Sequence, residues 1–183
     1  MSSAGNLGAG GNAARVASVP FDMRILVAAV VAAFSLPAFA LGAGEVAPPF
    51  ALGTAAGETI SLERLRGKVV YVDFWASWYG PCKRSFPWMN SLQKKYGAKG
   101  LAIVAVNVDK KRPDAERFLA QTPAEFTIVY DAAGVTPAAW GVKGMPSSYL
   151  IDEAGRIVAV EQGFRDEGAA ALDAQIGALL AGK

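Results

Sequence analysis

The sequence predicts an α/β domain built on a central mixed sheet with helices on both faces. Three observations carry this. An apolar run of β-branched and aromatic residues, Val69 to Trp75, reads as a strand buried on both faces and runs straight into a helix started by Pro81. A second apolar strand, Leu101 to Val108, follows that helix, so the two pair in parallel through a crossover. Ser148–Asp152 and Arg156–Glu161 then face each other around Glu153-Ala154-Gly155, which is a hairpin and brings antiparallel pairing into the same sheet.

The chain has 183 residues, 52% of them hydrophobic and 19% charged, enough for one ordinary domain with a real core. Residues 1–22 are rich in Gly, Ala, Ser and Asn and read as disordered, or as preceding the true start. Met23-Arg24, the apolar run Ile25 to Leu36, Pro37 and Ala38-Phe39-Ala40 spell a secretory signal peptide over 23–40, cleaved after Ala40. The alternative is an anchor retained in the inner membrane. The run is short for a span of about 20 residues. The destination is the cell envelope, the periplasm above all, where disulfide chemistry is at home.

The domain occupies 46–181. Val46 to Leu52 is a proline-led entry into an edge strand. Glu58 to Ser61 returns as its hairpin partner, and Ser61 caps a short helical turn over 62–66 that Gly67 stops. The helix from Pro81 runs to about Tyr96 with Phe86, Met89, Leu92 and Tyr96 on one buried stripe, and Pro87 kinks it. Lys83 and Arg84 lie on its solvent face. Pro113 to Ala120 is a helix with Phe118 and Leu119 inward, and Phe126 to Tyr130 a short strand. Leu172, Ile176, Leu179 and Leu180 mark a C-terminal amphipathic helix.

Composition excludes much chemistry. There is no histidine, so no histidine base, triad or metal ligand. There is one cysteine, so neither an intramolecular disulfide nor a cysteine metal cluster forms. The net charge of +2 does not point to nucleic acid. Lys110-Lys111-Arg112 reads as a solvated loop. No metal and no cofactor is expected.

Trp78-Tyr79-Gly80-Pro81-Cys82 resembles the Trp-Cys-Gly-Pro-Cys signature of the thioredoxin superfamily, with tyrosine in place of the first cysteine. Gly144-Met145-Pro146 resembles the second signature, whose proline is cis. Phe50-x-Leu52, Gly57, Ser61-Leu62 and Gly67-Lys68 resemble the lead-in of the envelope TlpA/ResA branch, as does the insertion between Asp109 and Gly144. The resemblance covers essentially all of 46–181 and implies a thioredoxin-like fold, an N-terminal hairpin and a thiol-disulfide oxidoreductase lineage.

It also implies site roles. Tyr79 occupies the position of the attacking nucleophile, and a phenol with a pKa of about 10 forms no exchangeable S–S bond. Cys82 stands where the resolving cysteine would, and Asp73 beneath it is the candidate proton relay. Trp78, Gly80, Pro81, Met145 and Pro146 would receive an extended segment of a partner protein, itself carrying a cysteine or disulfide, by strand addition. Plain alternatives stand beside these roles. Asp73 can be a buried relic, Cys82 a small apolar core residue, and Trp75 a packing residue.

Three functions remain open: an oxidoreductase lineage with a degenerate site, a non-redox binding module using the groove beside Pro146, and a one-thiol peroxide or glutathione reactor using Cys82. In the chain as it stands, burial is expected to outweigh the helix N-terminus, so that Cys82 titrates above a free thiol, with Tyr79 covering the sulfur.

Overall fold

The computed structural model describes residues 41–182. The expected signal segment and the stretch before it lie outside the described residues.

The chain lays down β1 (Ala51–Gly53), β2 (Thr59–Ser61), β3 (Val69–Trp75), α1 (Gly80–Tyr96), β4 (Leu101–Asn107), α2 (Arg112–Gln121), β5 (Thr127–Tyr130), α3 (Val135–Ala139), β6 (Ser147–Ile151), β7 (Ile157–Gln162) and α4 (Asp166–Ala181). One mixed sheet results, in the order β2-β1-β5-β4-β3-β6-β7. β3, β4 and β5 are parallel, β6 pairs antiparallel with β3, and β7 pairs antiparallel with β6. Every residue of β3 is buried, as its unbroken apolar run requires.

Strand alternation splits the core in two. Val69, Tyr71 and Trp75 face α1 and α4, and pack with Phe86, Met89, Leu92, Leu172 and Ile176. Phe118 of α2 joins this side, 4.9 Å from the Trp75 ring. Val70, Val72 and Phe74 face the other way, onto Phe50, Leu62 and the fully buried Trp140 that follows α3. Trp140 sits among Phe50, Phe74 and Tyr149, and its carbonyl accepts the Tyr149 hydroxyl at 2.7 Å.

Several expectations are corrected. The strand entered from Val46 is not the edge. β1 pairs with β5 through Gly53 and Tyr130 as well as with β2, and β2 takes the outside. The turn after β2 is a 3-10 helix, Glu63–Leu65, with Leu62 in the capping position. Ser61 contributes only a long 3.4 Å contact from the Arg64 N–H to its Oγ. α1 begins one residue before Pro81 and continues through Pro87 to Tyr96. A 3-10 turn then carries it to Gly100, whose φ of 105° ends it in the left-handed region. α3 was not expected at all.

Candidate functional site

The site forms where β3 ends. Ala76 to Tyr79 make the turn, with the Tyr79 N–H donating to the Ala76 carbonyl at 3.2 Å. Pro81 enters α1 in its first turn, where its missing N–H costs nothing. Asp109, buried at the end of β4, holds this turn from behind. Its two carboxylate oxygens accept the Ser77 N–H at 3.3 and 3.1 Å, and one also accepts the Asn107 side-chain amide at 2.8 Å. Asp109 was not singled out in the sequence. A carboxylate just past an apolar strand was the available signal.

Across the turn, Tyr79 and Cys82 sit in opposite environments. Trp78 is 72% exposed and Tyr79 37%, with their rings 6.0 Å apart and edge-to-face. Cys82 is 0% exposed and packs in the core with Trp75, Phe86 and Met89. Burial pushes its thiol up from 9.0 to about 12. The backbone N–H groups of Ala76 and Cys82 itself offset this in part, and the charges of Asp73 and Asp109 add to it. Ser85, one turn on, donates its hydroxyl to the Cys82 carbonyl at 3.0 Å.

Asp73 lies on the same face of β3 as Tyr71 and Trp75. It is 1% exposed, and one of its carboxylate oxygens has no hydrogen-bond partner. Burial alone drives its pKa well above the ordinary carboxylate value, which favours the neutral acid. Ser148 of β6 stands directly across from it, and Glu161 of β7 directly across from Ser148. The sequence does not reveal this row, because alternation assigns a face but not a register.

Met145–Pro146 is cis. Trp78, Tyr79, Pro137, Val142, Met145 and Gly163 line an open groove of about 670 Å³ in front of the turn. The structure therefore brings Trp78, Tyr79 and Met145 to one groove. Gly80 and Pro81, which start α1, and Pro146, which follows Met145 into β6, do not line the groove, and Cys82 and Asp73 are shut behind the turn. The α3 segment supplies the far wall, a contribution its five residues do not announce in the sequence. Among the described residues no group of three or more His, Cys, Asp or Glu side chains could hold a metal ion.

The fold, with the β3–α1 turn facing a cis-proline segment, defines a protein of the thioredoxin fold. Residues 42–176 match the Redoxin family, and the chain belongs to it. The thiol-disulfide oxidoreductase ResA of Bacillus thuringiensis subsp. konkukian (strain 97-27) is 34% identical over 115 residues, 63% of this chain and 66% of that protein. The ResA of Halalkalibacterium halodurans is 37% identical over 125 residues, 68% of this chain and 71% of its own. The chain thus spans about two-thirds of the length of these relatives. The crystal structure of a Chlorobium tepidum protein assigned as the thiol:disulfide interchange protein DsbE is 54% identical. It covers 76% of this chain and 99% of its own, with a TM-score of 0.74. The lineage is that of the thiol-disulfide oxidoreductases.

Proposed function

We propose that this chain is an envelope protein of that lineage which keeps the groove for a partner segment but does not itself turn over disulfides. One observation carries the reading. The only thiol in the chain, Cys82, is buried beneath the turn and burial pushes it up to about 12, while the exposed position in front of it holds the Tyr79 phenol. Disulfide exchange needs an accessible thiolate to attack and a second thiol to resolve the mixed disulfide. Neither requirement is met, and the burial of Cys82 also argues against a one-thiol reactor.

What is kept favours binding. The groove is mostly apolar, with Trp78, Tyr79 and Met145 at one end, and exposed aromatic side chains anchor partner segments well. The occupant would be an extended segment of a partner protein, one bearing a cysteine or disulfide, laid beside Met145 and Pro146. Similarity to ResA and DsbE proteins supports that partner class, and the leader-like segment at 23–40 supports an envelope location.

The experiment pairs two assays on the mature chain. Insulin reduction with dithiothreitol as electron source should stay at the uncatalysed rate. A fluorescent extended peptide containing a serine-blocked cysteine position should bind, and binding should weaken in Trp78→Ala. Catalysed reduction abolished by Cys82→Ser would overturn the reading.

A further inference from the structure

The groove in front of the turn is apolar along most of its lining, but the charge it carries is of one sign. Trp78, Tyr79, Pro137, Val142 and Met145 supply its surface, and Gln162 adds an uncharged amide. Lys143 is the one charged side chain in that lining. It is exposed, stands two residues before Met145, and makes no hydrogen bond or ion pair with any described residue.

The carboxylates at this end of the sheet do not neutralise that charge. Asp109 is buried, and its oxygens accept the Ser77 N–H and the Asn107 amide. Asp131 is buried too, and its oxygens accept the N–H groups of Gly134 and Thr136. Glu161 precedes Gln162 on β7, so alternation turns it to the other face of the strand, where it lines a separate crevice beside α4. The remaining exposed charges nearby are cations. α1 has no acidic residue in its first turn and exposes Lys83. Lys110 is exposed and donates to the Ala132 carbonyl at 2.8 Å, which holds its ammonium at the loop that reaches Gly134 of the groove.

We propose that Lys143 sets the groove's choice of partner: the segment received there is acidic, with an aspartate or glutamate carboxylate against the Lys143 ammonium and apolar side chains against Trp78 and Met145. This rests on the reading of the groove as a site for an extended partner segment, and adds the chemistry by which one segment is preferred to another. Exposed aromatic rings supply contact area but discriminate weakly between apolar segments. Charge supplies the discrimination. A basic segment is repelled by Lys143, and a neutral one displaces part of the ammonium's water without replacing it. An acidic segment replaces that water with an ion pair. An exposed ion pair adds little to affinity, so Lys143 acts as a selector among segments while the apolar lining holds whichever one is bound.

Pairs of fluorescent extended peptides test it. Each pair shares one apolar sequence with a serine-blocked cysteine position and differs by Glu or Gln at a single site, which is moved along the segment from pair to pair. At low salt the Glu peptide of the best-placed pair should bind about two- to fivefold more tightly, the range of an exposed ion pair. The preference should fade towards 1 M salt, where charges are screened within about 3 Å. Lys143→Gln should abolish it and leave the affinity for the Gln peptide unchanged, Lys143→Arg should keep it, and Lys143→Glu should reverse it. Lys68→Gln removes an equal charge from the exposed residue just before β3, at the far end of that strand, and should leave the preference intact. A preference lost equally in Lys68→Gln would trace it to net charge and overturn the assignment to Lys143. Equal binding within every pair, still weakened by Trp78→Ala, would overturn the acidic partner alone. Binding of no peptide would overturn the groove reading, and this inference with it.

Discussion

Two regions at the carboxyl end of the sheet treat buried acidic groups in opposite ways. Beneath α1, Asp73 has an unpartnered oxygen and a raised pKa, and the Cys82 thiol beside it is raised too. Two strands away, at the end of β5, Asp131 is also buried, yet the loop that follows it supplies donors. Its oxygens accept the N–H groups of Gly134 at 2.9 Å and Thr136 at 2.6 Å. Burial there favours the neutral acid, but hydrogen bonds from Thr136, Gly134 and Val135 outweigh it and hold the carboxyl below its ordinary value. Asp131 is a structural acid that shapes the loop into α3, the far wall of the groove. The region beneath α1 lacks such donors, and in it ionisation is costly.

The sharpest test restores the missing attacker. Tyr79→Cys should convert a chain with no disulfide turnover into one that reduces insulin, because the turn, Cys82, Asp73 and the Met145–Pro146 segment are already in place. The new thiol stands just before the first turn of α1, which favours its thiolate. Alkylation rate against pH should report a thiol well below Cys82. A folded variant with neither turnover nor a lowered pKa would show that the region beneath α1 is packing alone.

Next in size is Cys82 in the unaltered chain. A rise from 9.0 to about 12 leaves roughly a thousandfold less thiolate than a free thiol offers at the same pH. Iodoacetamide should label Cys82 slowly in the native state and about a thousandfold faster in denaturant. Rapid native labelling near neutral pH would place Cys82 with the exposed groups and break the contrast with Tyr79.

Much of this contrast was readable before the fold was known, and most of the unreadable part has a common cause. The buried run Val69 to Trp75, the proline-started helix and the hairpin around Gly155 are local patterns, and each appears where it was expected. That Asp73 would be buried followed from its apolar neighbours. What escaped notice depends on long-range register. β1 becomes interior only through its pairing with β5 at Gly53 and Tyr130. Ser148 and Glu161 join Asp73 only once three strands are aligned. α3 is a separate, local case: it holds five residues, Val-Thr-Pro-Ala-Ala, too few for periodicity, and is held from just upstream by the Asp131 side chain. The groove wall it builds was therefore invisible in the sequence.

Asp73→Asn probes the donor-poor side by stability. In the folded chain the carboxyl keeps its proton well above the unfolded value of about 3.9, so above that pH the unfolded state binds fewer protons and stability falls as pH rises. Removing the ionisable group removes that loss. Asp73→Asn should match the wild type in stability slope below about pH 4 and gain on it steadily above, by up to ~1.4 kcal/mol per pH unit while the wild-type carboxyl stays protonated. Urea unfolding at a series of pH values measures the difference. A gain that does not grow with pH would mean that Asp73 has hidden donors and belongs with Asp131.

The smallest effect is expected at Asp131, and its sign is opposite. Its folded pKa lies below the unfolded one, so its contribution is present above about pH 3.9 and is lost as pH falls through the folded value. Asp131→Asn keeps one carbonyl oxygen for one of the two N–H donors and turns an amide NH2 towards the other. The loss should resemble that of a helix cap, ~1 kcal/mol near neutral pH, and should shrink towards zero in acid, where the wild-type carboxyl is itself protonated. The same urea series reads it. Because Gly134 and Thr136 flank the start of α3, the variant should also loosen the groove wall formed by Pro137 and Ala138, seen as faster amide exchange there and not in β3. A destabilisation that persists unchanged at low pH would assign the effect to packing rather than to the charged, hydrogen-bonded carboxylate. The two regions would then differ in donors but not in the use made of them.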